Sequence, residues 1–145
     1  MVRIEEVTKY SAEAKESVIR FLNLLVEREI SISEDALKEI IDSTNSHLFF
    51  ALDDKDNYVG MLTVGTYSSP TGKKAWVEDV VVDEAYRGHG VGIKLTEHAI
   101  LFSKQQNIPL LMLTSNPTRI AANGLYQKLG FQKRETNVYR MNFSD

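Results

Sequence analysis

Val80-Val81-Val82-Asp83-Glu84-Ala85-Tyr86-Arg87-Gly88-His89-Gly90-Val91-Gly92-Ile93-Lys94-Leu95 runs from an apolar strand through a glycine-rich turn into a helix. The chain has only eight glycines, and Gly88, Gly90 and Gly92 stand within one short turn. Glycines where a turn enters a helix let the backbone approach a ligand and aim several N–H groups at one point. The unpaired amides and dipole of the helix N-terminus favour negative charge there. The fitting guest is a phosphate or pyrophosphate, cradled by the backbone of Gly88, His89, Gly90, Val91 and Gly92, with Arg87 at the rim for a charge-assisted contact. Spacing excludes two other phosphate turns. A Walker A loop needs glycine before its lysine and Ser or Thr after it, whereas Lys94 lies between Ile93 and Leu95. A dinucleotide fingerprint counted from Gly88 ends on Ile93 where glycine is required.

Outward from the turn, periodicity sets the remaining elements. Upstream, Val2 to Val7 is a short alternating segment, and Ser11 opens a helix with Val18, Phe21, Leu22 and Leu25 on one face. Ser31 and Glu34 have capping-box spacing, which predicts a second helix to about Thr44. His47 to Leu52 reads as a buried strand, Asp53 to Asn57 as a hairpin turn, Tyr58 to Tyr67 as its partner, and Ala75 to Asp83 as a third strand. Downstream, Val91, Leu95, Ala99 and Phe102 share a helix face, and Leu110 to Thr114 is a short apolar strand. Ser115 or Asn116 is the expected cap of a helix with Pro117 first and Gly130 closing it. Phe131 to Lys133 and Val138 to Phe143 are expected as two final strands. The order β-α-α-β-β-β-α-β-α-β-β, with no linker or repeat, predicts one α/β domain over residues 1–145 with a mixed sheet.

Composition narrows the function. The 145 residues carry a net charge of −3, without the basic footprint of a nucleic-acid binder. There is no Cys, which removes disulfides, thiolate metal ligands and a cysteine nucleophile, and suits a reducing compartment. No apolar run approaches the length of a membrane span and the first residues have no signal-peptide pattern, so the expectation is a cytoplasmic protein with no membrane partner. His47, His89 and His98 have no metal-ligand spacing, so no metal is expected.

Arg87-Gly88-His89-Gly90-Val91-Gly92 matches R-x-x-G-x-G after a valine-rich strand, and Ala122-Asn123-Gly124-Leu125-Tyr126-Gln127-Lys128-Leu129-Gly130-Phe131 matches A-x-x-L-Y-x-K-x-G-F. These two blocks, in this order, resemble the GNAT superfamily of acyl-CoA N-acyltransferases. The resemblance covers roughly residues 58–143. It implies a single-domain α/β (α+β) fold whose mixed, mostly antiparallel central sheet is flanked by about four helices. It also implies an N-acetyltransferase that takes acetyl-CoA as cosubstrate and a small amine-bearing acceptor.

On that resemblance the Gly turn binds the CoA pyrophosphate, and Val80, Val81 and Val82 pair by their backbone with the pantetheine arm. A backbone N–H near Val80 or Val81 then faces the thioester carbonyl. Tyr126 is the implied general acid for the departing thiolate, because a phenol's ordinary pKa of about 10 keeps it protonated beside a thiol near 8.5. The segment around Glu78 and Asp79 is similar to that of glucosamine-phosphate N-acetyltransferases, which makes Glu78, with Asp79 or a water chain as alternatives, the base that orients or deprotonates the amine. Strict alternation would put Glu78 on the face of Val80 and Val82, and Asp79 with Val81, unless a bulge intervenes. Where many members carry an asparagine that bonds the cofactor arm, this chain has Arg119, and Asn116 and Asn123 are the nearby substitutes. With no Cys and no Ser-His-Asp pattern assignable to one cleft, direct transfer in a ternary complex is expected over a covalent intermediate. The implied acceptor cleft draws on Glu27, Arg28, Glu29 and Tyr139, and a homodimer through sheet edges or the last strands is compatible with the pattern. The competing readings are a non-catalytic acyl-CoA-binding regulatory module and a nucleotide-binding module using the same turn.

Overall fold

Phe49, Ala51, Leu62 and Val64 are buried on one side of the central strands, and Leu48, Phe50, Leu52 and Met61 on the other. This period of two makes a sheet that needs helices on both faces. The computed structural model describes residues 1–26 and 28–144, so Glu27 lies outside the described residues. It divides into two compact units, Met1–Thr114 and Ser115–Asp145.

The first unit holds five strands: β1 (Arg3–Glu6), β2 (Ser46–Leu52), β3 (Tyr58–Ser69), β4 (Gly72–Val82) and β5 (Leu111–Met112). They lie in sequence order, antiparallel from β1 to β4, with β5 parallel to β4. Helix α1 (Ala12–Leu25) is capped by Ser11, whose hydroxyl accepts from the Ala14 amide. It packs with α2 (Glu34–Asp42) on one face, burying Ala14, Val18, Phe21 and Leu37. Helix α3 (Val91–Gln105) covers the other face through Val91, Leu95, Ala99 and Phe102, the stripe expected from the sequence. Each Val, Leu or Phe among them contributes about 1.5–3 kcal/mol by leaving water.

The cap of α2 is Ser33 rather than Ser31, and the helix ends at Asp42, short of Thr44. Ser33 Oγ accepts the Ala36 amide at 3.1 Å, while Glu34 engages Lys38 one turn on at 2.7 Å and so closes no capping box.

In the second unit the only helix among the described residues is α4 (Ile120–Lys128). It begins after Arg119, not at Pro117, because Asn116 Oδ1 binds the amide and hydroxyl of Thr118 at 3.0 and 2.8 Å and holds a local turn. The strands expected at 131–133 and 138–143 do not form. A strand needs a backbone partner, and among the described residues neither segment pairs in a ladder. The alternating pattern leaves Val138, Tyr139, Met141 and Phe143 exposed.

Candidate functional site

The Gly-rich turn is fastened at its entrance on two sides. Asp83 follows β4, accepts the Ala85 amide at 3.3 Å and starts one turn of 3₁₀ helix, Glu84–Tyr86. Arg20 of α1 donates to Asp83 Oδ2 at 2.7 Å and to the Tyr58 carbonyl at 2.9 Å. On the other side the Tyr86 hydroxyl donates to Asp53 Oδ2 at 2.5 Å. Asp53 also accepts the amides of Lys55 and Asn57 at 2.9 Å each and the Asn57 side chain at 3.1 Å. The Tyr86 hydroxyl, followed by these Asn57 and Lys55 donors, holds the Asp53 carboxyl well below the usual carboxylate range.

Past Tyr86 the backbone takes left-handed values at Gly88 (φ 83°) and Gly90 (φ 78°). A Cβ at either position would meet nothing within 4 Å, so these glycines border open space rather than core. Gly90 caps α3 without any side-chain hydrogen bond. The first bond into the helix runs from the Lys94 amide to the Gly90 carbonyl at 3.1 Å, which leaves Val91, Gly92 and Ile93 amides with no intrahelical acceptor. Val91 thus has two roles: its side chain is 1% exposed in the core, while its N–H points out of the helix start. The His89 amide reaches back to the Tyr86 carbonyl at 3.3 Å and its ring lies edge-on to Tyr86. Arg87 is exposed, with Nε on the Val82 carbonyl at 3.4 Å, beside the strand end. Orphan amides, open space above two glycines and a nearby guanidinium make a cradle that fits a phosphate or pyrophosphate.

The helix start rests on the sheet at Gly60, a residue that sequence reasoning passed over. A Cβ there would lie 2.9 Å from the Val81 carbonyl and 3.2 and 3.3 Å from Leu95 and Val91 side chains. Gly60→Ala is therefore expected to destabilise the protein by about 1–3 kcal/mol through overpacking. Urea unfolding checks it, with a lowered midpoint at unchanged slope as the expected result.

Strand β4 departs from alternation where the chemistry was expected. Thr63 pairs with Glu78 but Met61 pairs with Val81, so three β4 residues span what two span on β3. Asp79 takes φ 51° inside this bulge. Ala75 and Val77 face the α3 side before it, Val80 and Val82 face the α3 side after it, and Val81 faces α1 and α2. Glu78 consequently shares the face of Val81, contrary to its expected grouping with Val80 and Val82. The extra residue reverses the phase. Beyond the bulge β4 also has a free edge, since β5 pairs only at Ala75 and Trp76. The backbone of Val80 to Val82 on that side is left without a strand partner among the described residues.

Glu78 and Asp79 are solvent-accessible, yet crowding by protein atoms raises both carboxyl pKa values above ordinary, and the Asp79 charge raises Glu78 further. Of the histidines, His47 bonds Glu6 at 2.8 Å and His98 packs on Phe49 with its pKa lowered by burial. Among the described residues no group of three or more His, Asp or Glu is placed to hold a metal ion, and no helix is long and apolar enough to cross a membrane.

In the second unit Tyr126 sits on α4, half-buried, with its ring edge-on to Phe131 at 6.0 Å. The Phe131 amide returns to the Tyr126 carbonyl at 3.0 Å, with Gly130 at φ 107° between them. Asn123 Nδ2 donates to the Asn116 carbonyl at 2.9 Å, so the two asparagines offered in place of Arg119 brace each other. Tyr139 is 87% exposed.

Residues 15–131 match the model of the acetyltransferase (GNAT) family. The chain is similar to human N-acetyltransferase 8B, at 25% identity over 130 residues that make up 88% of this chain and 56% of that protein. It thus spans little more than half the length of this curated relative. Among solved structures it is similar to a transcriptional regulator from Bacillus halodurans C-125, with TM-score 0.83 and 30% identity over 99% of this chain and 100% of that one. An aminoglycoside acetyltransferase from an uncultured soil metagenomic sample, in complex with trehalose, shares the fold at TM-score 0.86 and 20% identity, covering 99% of this chain and 97% of the other.

Proposed function

Because the chain belongs to the GNAT acetyltransferase family, we propose that it is an N-acetyltransferase that moves an acetyl group from acetyl-CoA to a primary amine of a small acceptor by direct transfer with both substrates bound. The observation that carries this reading is the pairing, within one unit, of an anion cradle at Gly88 to Gly92 with a bulged, open-edged β4 immediately before it. A pyrophosphate at the cradle and an extended amide-bearing arm along β4 are what such a surface recognises.

Acetyl-CoA supplies the activated acetyl group and the thiol leaving group. The amides of Gly88, Gly90, Val91 and Gly92 hold its pyrophosphate, His89 lends turn backbone, and Arg87 adds a charge. Val80, Val81 and Val82 offer backbone groups to the arm, and an N–H near Val80 or Val81 polarises the reacting carbonyl. Glu78 accepts the amine proton, directly or through water, its affinity for that proton kept high by desolvation and then by the Asp79 charge. Tyr126 donates a proton to the departing sulfur, on the strength of the motif in which it stands, and Asn116 or Asn123 is the candidate to bind the cofactor arm.

Glu78→Gln tests the base. Expected is a loss of about 10²-fold or more in kcat/KM and disappearance of the acid limb of its pH profile. Stability moves the other way. The folded pKa of Glu78 is raised, so its ionisation costs stability as pH rises from the unfolded carboxyl value of about 4.3 through the folded value. The Gln variant should melt at the same temperature or higher near neutral pH, with no gain in acid.

Titration calorimetry with acetyl-CoA, followed by CoA release against a panel of amines, tests the whole reading. Binding with turnover of at least one amine is expected. No binding at millimolar cofactor would overturn it, and binding without turnover of any amine would make the chain an acyl-CoA-binding regulatory module.

A further inference from the structure

Few side chains hold the middle of the Gly cradle: Gly88 and Gly90 have none, and Arg87 and His89 are exposed, with one bond to the Val82 carbonyl and one ring contact on Tyr86. Its geometry must be imposed from its ends. One end is α3, anchored by Val91 and Leu95 in the core. The other end is Tyr86, whose ring packs against the α3-side core, whose amide donates to the Asp83 carbonyl at 2.9 Å, and whose carbonyl receives the His89 amide. The Tyr86 hydroxyl ends on Asp53, a residue only 8% exposed whose carboxylate takes three donors from its own hairpin turn and has room for this fourth.

We propose that Asp53 and Tyr86 are positioning residues for the cofactor, a hydroxyl–carboxylate clamp that ties the entrance of the Gly turn to the β2–β3 hairpin and so aims the turn's amides. The inference rests on the acetyl-CoA reading above. Asp53 is suited to the task because its hairpin is rigidly paired to the sheet, and because its carboxylate remains ionised throughout the range in which an acyltransferase works. A hydrogen bond to a charged group is also stronger than a neutral one. The clamp orders the turn before the ligand arrives, which lowers the ordering cost of binding.

Tyr86→Phe removes the hydroxyl and keeps the ring in place. Expected is a rise of about tenfold in the CoA dissociation constant and in the KM for acetyl-CoA, with kcat within about twofold. Asp53→Ala should weaken CoA binding by at least as much, and the double variant should be no weaker than Asp53→Ala alone, since both remove one clamp. If Asp53→Ala fails to fold, Tyr86→Phe decides by itself. Unchanged CoA affinity in Tyr86→Phe overturns the clamp, as does a fall in kcat and melting temperature at wild-type affinity. If the unaltered protein binds no CoA, the cofactor reading fails first, and the clamp with it. If it binds CoA and the variants bind equally well, the clamp alone fails.

Discussion

Tyr126→Phe is expected to lower kcat by about 10²-fold or more while leaving the affinity for acetyl-CoA within about twofold. General acid catalysis contributes roughly 10²–10⁴-fold where a proton must arrive as a bond breaks. The substitution is nearly isosteric. The ring keeps its edge-on contact with Phe131, and the Phe131 amide keeps its bond to the backbone carbonyl of residue 126, so α4 and its exit turn are preserved. Steady-state kinetics at saturating acetyl-CoA measure the effect directly. An unchanged kcat removes Tyr126 from the acid role without touching the family assignment, and an equal loss in affinity would reassign it to binding.

Gly90→Asp should cripple cofactor binding, with a loss in CoA affinity on the order of 100-fold, the size of one or two charge-assisted hydrogen bonds. The new carboxylate would stand at the start of α3, at a site now open to solvent, where it competes for the unpaired amides and repels a pyrophosphate. Aspartate tolerates left-handed backbone better than most residues, so at φ 78° the fold should lose only about 1 kcal/mol. Calorimetric titration with CoA, run beside thermal melting, separates the two effects. Affinity within a few fold of the original protein would mean that the pyrophosphate sits elsewhere.

Much of the site was legible because its signals are local. Three glycines at a strand-to-helix junction can be read from spacing alone, as can the α3 stripe of Val91, Leu95, Ala99 and Phe102, which the structure buries. The β4 bulge left no such signal. Trp76, Val77, Val80, Val81 and Val82 are apolar at odd and even positions alike, and only the packing shows that Ala75 and Val77 are out of phase with Val80 and Val82.

Other features had no local trace. Arg20 and Asp83 are 63 residues apart, and Asp53 and Tyr86 are 33 apart, so nothing in either neighbourhood announces the partner. Gly60 looks like any strand glycine until α3 is laid across it. The terminal segment misled in the opposite direction. Val138 to Phe143 alternates as a strand should, but alternation describes side chains, and a strand exists only when its backbone finds a partner.

By itself, then, the order of residues determined the elements between residues 1 and 128 and the glycine turn before α3, because these follow from propensity, period and spacing over a few residues, and two motif blocks carried the resemblance to the family. The tertiary structure decided which face Glu78 occupies, which edge of β4 is open, and what holds the glycine turn in place. Those depend on register and on contacts between distant segments, which the chain specifies only once the sheet has closed.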